Sequence, residues 1–107
     1  MPGGSSRHRV AESSTRRLEW TRPARAAYEA TLARIAEADV DTASRLEMRV
    51  ARSLSLLQSQ PGMGSPSALV GRRVYPIPNT GHNVSYRVTR HAITIVRWYR
   101  QRQNVPR

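Results

Sequence analysis

The sequence predicts an α+β fold in the order β-α-α-β-β-β, with a helical hairpin packed on one face of a small, mainly antiparallel sheet. The middle of the chain holds its most regular helical stripe, Ala43, Leu46, Val50, Leu54 and Leu57, whose spacing puts every member on one face. The stretch from Gly71 to Arg107 breaks into three short runs rich in Val, Ile, Tyr and Trp, separated by turn residues. That is the pattern of an antiparallel meander. A single alternating run precedes the helices, so helices and strands are segregated along the chain.

Residues 1–15 are rich in Gly, Ser and Arg without periodicity and are expected to form a disordered basic tail, with His8 in it playing no part; residues 16–107 are expected to form one domain. From Arg16 to Trp20, Leu18 and Trp20 alternate with charged neighbours, as in a half-buried strand. Thr21 and Pro23 mark a helix start, since Thr can cap and Pro is tolerated in the first turn. Tyr28, Leu32 and Ile35 give this helix an apolar stripe, and it ends near Ala38. Asp39 is the expected N-cap of the second helix, which Gln60-Pro61-Gly62 terminates. Gly62-Met63-Gly64 reads as no more than a turn, and Met63 to Val70 as a Gly/Ser/Pro loop.

In the meander, the first strand carries Val74, Tyr75 and Ile77. Pro76 and Pro78 cannot donate to a ladder, which makes it an irregular or edge strand. Val84, Tyr86 and Val88 alternate with Ser85 and Arg87, giving the next strand one buried and one polar face. The run from Ile93 to Tyr99 is apolar enough to be central. His82 reads as part of a Thr80-Gly81-His82-Asn83 turn and His91 as part of the following one, both solvated.

Composition excludes whole classes of chemistry. With 107 residues and 38% hydrophobic content the chain supports one small core, and a partner is expected to cover apolar surface. There is no Cys, hence no disulfide, thiolate or Cys-based zinc site. All 18 basic residues are Arg, so lysine chemistry is impossible. The acids are Glu12, Glu19, Glu29, Glu37, Asp39, Asp41 and Glu47, and none follows. The second half therefore has no carboxylate to act as a general base or hold a hard metal. No cofactor and no metal is expected. No apolar run approaches the ~18 residues of a membrane span, and no signal-peptide core is present, so a cytoplasmic protein is expected.

Net charge is +11 with a pI near 11.7. A genome biased towards arginine explains the missing lysine but not the one-sided loss of acids. The terminal stretch carries Arg72, Arg73, Arg87, Arg90, Arg97, Arg100, Arg102 and Arg107 against no carboxylate. Such a sheet is suited to an anionic partner, nucleic acid or acidic protein.

Several pieces then occur in a telling order: Leu18-Glu19-Trp20-Thr21 with Ala24; Pro61-Gly62-Met63-Gly64 leading to Gly71-Arg72-Arg73; Pro76-Ile77-Pro78 before a turn; Val84-Ser85-Tyr86-Arg87-Val88; Ile95-Val96-Arg97; and a terminal Pro106. In this order and spacing they resemble the RelE/ParE superfamily of toxins from type II toxin–antitoxin pairs, over roughly residues 17–106. The resemblance implies this strand–helix–helix–three-strand fold. It also implies growth arrest by the free toxin, neutralisation by a cognate antitoxin through an acidic or amphipathic segment, and a toxin–antitoxin hetero-oligomer. RelE-like members cleave mRNA on the ribosome, whereas ParE-like members poison DNA gyrase. The sequence stands closer to the second group. Asn83 occupies a place where RelE-like nucleases carry Arg, Val74 and Pro76 stand where they carry basic residues, and Arg100 to Gln103 lack the terminal His and small pair of many relatives.

Three readings stay open at this point. The chain could be a ParE-like toxin acting on gyrase, a RelE-like endoribonuclease, or an inactive basic binding protein derived from this fold. A nuclease would draw its cations and its base from Arg73, Arg87, Arg100, Arg102, His82 and Tyr99, because transfer to the 2′-hydroxyl needs a proton acceptor and charge on the phosphate. A binding toxin would meet its target through Arg73, Arg97, Trp98, Arg100 and Arg102; Trp98 could stack on a base, although a place in the core or against the antitoxin is the favoured one. The off-stripe residues Met48 and Leu56 of the second helix, with Arg52, are the expected antitoxin contact.

Overall fold

The computed structural model describes residues 16–101; the tail assigned to residues 1–15, together with Arg102 and Arg107, lies outside them. Strand β1 (Arg17–Trp20) leads into helix α1 (Arg22–Ala38) and helix α2 (Val40–Ser59). A 3-10 turn at Pro61–Met63 and a two-residue strand β2 (Ser65–Pro66) follow, then β3 (Arg72–Ile77), β4 (His82–Val88) and β5 (Ala92–Arg100). The 3-10 turn and β2 fall where the sequence suggests loop; too short to carry a period, they leave no pattern to read.

Both helix starts are capped as the sequence predicts. The Thr21 hydroxyl accepts from the Ala24 N–H (3.3 Å), while the Thr21 N–H donates to Ile95 O (2.9 Å) and ties the cap to β5. Asp39 serves both helices. Its own N–H donates to Ile35 O (2.9 Å) and closes α1; its carboxylate accepts from the Thr42 hydroxyl (2.8 Å) and the Asp41 N–H (3.0 Å) and opens α2. The Thr42 bond, above all, holds the Asp39 carboxyl below the usual carboxylate range.

The sheet order is β1-β5-β4-β3-β2, with β1 parallel to β5 and the remaining pairs antiparallel. β5 is interior, as its apolar content requires. β2 covers β3 only opposite Val74 and Arg73, and Pro76 lies beyond it, where a residue without a donor is tolerated. Every member of the α2 stripe, Ala43, Leu46, Val50, Leu54 and Leu57, is buried. Leu46, Val50, Leu54 and Leu57 pack with Ala24 against Ile77, Val84, Tyr86, Ile93, Ile95 and Trp98 of the sheet, with Tyr28, Leu32 and Ile35 of α1 half-buried at the margin. Full burial of each Leu, Ile or Val contributes roughly 1.5–3 kcal/mol. The Tyr28 hydroxyl, held among Trp20, Trp98 and Glu47, is pushed up to about 12, first by burial and then by the Glu47 charge.

One irregularity decides which side chains reach the far side of the sheet. Ser85 pairs with Arg97 while Tyr86 pairs with Ile95, so Val96 is an extra residue on β5. This bulge flips the alternation of the strand beyond it. Trp98 and Arg100 join the row side of Ile93 and Ile95, facing the helices, and Arg97 and Tyr99 join Thr94 on the opposite side.

Candidate functional site

Because cross-strand partners share a face, the register sorts the polar side chains into rows. On the helix side run Ile77–His82–Arg100, then Tyr75–Val84–Trp98, then Arg73–Tyr86–Ile95–Trp20. On the outer side run Pro76–Asn83–Tyr99, then Val74–Ser85–Arg97, then Arg72–Arg87–Thr94–Glu19. The predicted site residues are thereby divided between two faces.

Arg87 and Arg97 are exposed on the outer face. Arg72, which stands just before the predicted site residues in sequence, joins them directly opposite Arg87. The Arg97 guanidinium lies over the Tyr99 ring, 4.5 Å from its centroid, an attraction between cation and aromatic quadrupole. Glu19 is the carboxylate of these rows, and it is engaged by Arg17 (3.3 Å) and by the Thr94 hydroxyl (3.5 Å). Among the described residues, Arg72, Arg87 and Arg97 make no ion pair with a carboxylate.

Arg73 points to the other side and is structural. Its guanidinium donates to Gly64 O (3.1 Å). The Gly64 N–H donates to the Tyr86 hydroxyl (2.9 Å), which in turn donates to Pro61 O (2.7 Å). Gly64 is therefore more than a turn residue: a Cβ there would lie 2.6 Å from the Tyr86 hydroxyl and 2.7 Å from Val74 O. Burial raises the Tyr86 hydroxyl above its ordinary value and keeps it a donor.

The expectation for His82 is corrected, while Trp98 takes the core place favoured for it. His82 is not a solvated turn residue: the turn ends at Gly81 (φ 75°) after Asn79 (φ 63°), and His82 opens β4 with 6% of its surface exposed. Its ring stacks on Trp98 (centroids 4.7 Å apart), and Nδ1 sits 3.1 Å from Thr80 O. A carbonyl only accepts, so Nδ1 carries the proton. Burial lowers the imidazole pKa, the Thr80 carbonyl partly opposes this, and Arg100 and Arg34 lower it further. Trp98 likewise is 5% exposed, wedged between His82 and the edge of Tyr28, with its indole N–H donating to the Thr31 hydroxyl (2.9 Å). It cannot stack on a target base without leaving the core.

Arg100 is exposed at the end of the His82 row, on the helix side of the sheet. Tyr99 stays on the outer face, half-buried beneath Arg97. The nuclease candidates thus do not converge. The imidazole lies on one face, Arg87 and Tyr99 lie on the other, and Arg73 is occupied by Gly64. The arrangement can bind an anion, but it splits the set into His82 beside Arg100 on one face and Tyr99 beside Arg97 on the other, so base and cations do not gather at a single site. The register between β3 and β4 is the signal that exposes Arg72, since it is legible only after the hairpin is closed. On the opposite layer, Met48 (62% exposed), Arg52 and Leu56 (42%) lie at successive turns of α2, open to solvent.

A family model described as the ParE toxin of type II toxin-antitoxin system, parDE, matches residues 18–105. No curated protein matches the chain. Among solved structures, a chain of the chromosomal ParDE TA system from P. aeruginosa is similar with a TM-score of 0.72 and 25% identity, over 84% of this chain and 100% of that one.

Proposed function

We propose that this chain, which belongs to the ParE toxin family of type II toxin–antitoxin systems, arrests growth in the cytoplasm by binding DNA gyrase and is neutralised by a cognate antitoxin. The observation that carries the reading is the division of the would-be catalytic set between the two faces of the sheet. A ribonuclease must hold a proton acceptor within hydrogen-bond reach of the 2′-hydroxyl while cations hold the adjacent phosphate. Here His82 is stacked in the core with Arg100 alone beside it, and the other exposed cations, Arg87 and Arg97, are on the reverse side. A toxin that works by binding needs no such convergence.

The antitoxin is assigned to the helix layer. Met48 and Leu56 supply apolar contact, and Arg45, Arg49 and Arg52 supply charge on the same stretch of α2. An acidic amphipathic segment fits both, and the pair forms a hetero-oligomer. The target, gyrase with its bound DNA, is assigned to the exposed arginines Arg87, Arg97 and Arg100. Induction of the chain in cells, with primer-extension mapping of translated mRNA, tests the reading. Growth arrest without codon-linked cuts is expected. Codon-linked cuts would restore the endonuclease, and normal growth despite tight antitoxin binding would leave an inactive binding protein.

A further inference from the structure

We infer that the outer face of the sheet is a sequence-independent docking surface for the phosphate backbone of duplex DNA, held through Arg72, Arg87 and Arg97. This goes beyond the gyrase assignment, because it requires contact with DNA in the absence of any other protein. Arg72 and Arg87 are direct cross-strand partners, and like charges so placed, about 5 Å apart at Cβ, repel. Arg97 stands one row further on. None of the three meets a carboxylate among the described residues, and Glu19, at the far end of the row, is already engaged by Arg17 and Thr94. Folding therefore gathers three guanidinium groups at mutual electrostatic cost, a cost that a row of anions offsets.

The chemistry of the face selects nucleic acid over an acidic protein. Protein interfaces centre on apolar or aromatic anchors in desolvated pockets, with charge depleted there. Of the large apolar side chains exposed on this protein, Val40, Met48 and Leu56 are on α2, in the other layer, and Met63, Leu69 and Val70 are on the segment between α2 and β3, outside the three arginine-bearing strands. The outer face offers the guanidinium groups of Arg72, Arg87 and Arg97 around a buried Ser85 and a half-buried Val74, and its aromatic ring, Tyr99, lies beneath Arg97. Without a free ring there is no platform for unstacked bases. What remains is charge contact with a backbone, and the duplex has the densest backbone charge available, about one per 1.7 Å of axis.

The test uses the full chain and a fluorescein-labelled duplex of arbitrary sequence, with binding followed by anisotropy across a salt series and no gyrase present. Each phosphate neutralised contributes about 0.9 to the slope of log K against log salt, so replacing Arg72, Arg87 and Arg97 together by Ala should flatten the slope by about 2.7. A matched triple on α2, Arg45→Ala, Arg49→Ala and Arg52→Ala, removes the same charge and should flatten it by less than about 1. Should the sheet triple fail to fold, the single variants Arg87→Gln and Arg97→Gln at exposed positions should each remove about 0.9. Equal changes in the two triples would reduce the effect to net charge and overturn the inference, as would wild-type binding by the sheet variants. Displacement of the duplex by polyglutamate at lower concentration than by unlabelled duplex, lost in the sheet variants, would assign the face to an acidic protein and overturn it as well.

Discussion

Replacing Tyr86 by Phe isolates one hydroxyl that joins three segments. The ring is fully buried, and Phe retains it, so the apolar packing is unchanged. What is lost is the acceptor for the Gly64 N–H (2.9 Å) and the donor to Pro61 O (2.7 Å). A buried group left without its partner costs roughly 1–3 kcal/mol. Pro61 is half-buried and can recruit water, so most of the penalty falls on the Gly64 amide, and a total of about 2 kcal/mol follows. For a domain of this size that corresponds to a Tm lower by about 8–16 °C. Gly64→Ala attacks the same junction sterically, since its Cβ would meet both the Tyr86 hydroxyl (2.6 Å) and the backbone oxygen of Val74 (2.7 Å); overpacking of this kind costs about 1–3 kcal/mol before the hydrogen bonds are counted. The two changes share an atom, so the double variant should be less destabilised than the sum by at least about 0.5 kcal/mol. Urea unfolding followed by circular dichroism measures all three. A Tyr86→Phe variant within about 0.5 kcal/mol of the parent, or strict additivity in the cycle, would refute the claim that this hydroxyl pins the Pro61–Gly64 segment and Arg73.

Other consequences are simpler. Thr31→Val leaves the buried Trp98 indole N–H without its acceptor, and should lower stability by about 1–3 kcal/mol, with Thr31→Ser close to wild type; equal stability of the Val and Ser variants in urea would contradict the bond. His82 has a depressed pKa in the folded chain, so below its ordinary value of 6.5 the unfolded chain binds the extra proton. Stability from this group is then complete above pH 6.5 and declines as pH falls through 6.5 towards the folded value. The urea midpoint should drop between pH 7.5 and pH 5.5, about one unit either side of that value, and His82→Gln should remove that part of the slope; a midpoint that rises on acidification would show the sign to be wrong. Met48→Glu puts a charge in the exposed stripe of α2 and should abolish antitoxin binding by calorimetry while leaving the thermal melt unchanged. Full affinity for the antitoxin would remove this stripe from the interface.

The helices were legible because their signals are local. The stripe from Ala43 to Leu57 and the caps at Thr21 and Asp39 lie within one or two turns of the residues they organise. The meander was legible for the same reason, since β3, β4 and β5 are joined by short turns. Pairing of β1 with β5 was not, as no periodicity connects Leu18 to Ile93 across two helices. The base-stacking alternative for Trp98 and the turn reading of His82 fell for a different cause. A strand read by strict alternation from Ile93 puts Trp98 on the side opposite the core, and only the extra residue at Val96 returns it. His82 follows Gly81 in what reads as a turn, yet the left-handed residues Asn79 and Gly81 close that turn one position sooner. Arg73 was counted with the target-facing arginines because its charge is visible in the sequence, whereas the carbonyl of Gly64 that occupies it is not.

The central claim, a toxin that works by binding gyrase, is tested most directly by purified gyrase supercoiling relaxed plasmid in the presence of the purified chain. Inhibition that rises with the chain's concentration, is relieved by the antitoxin, and weakens in Arg87→Gln and Arg97→Gln is the predicted result. Undiminished supercoiling at a large excess of folded chain would contradict it.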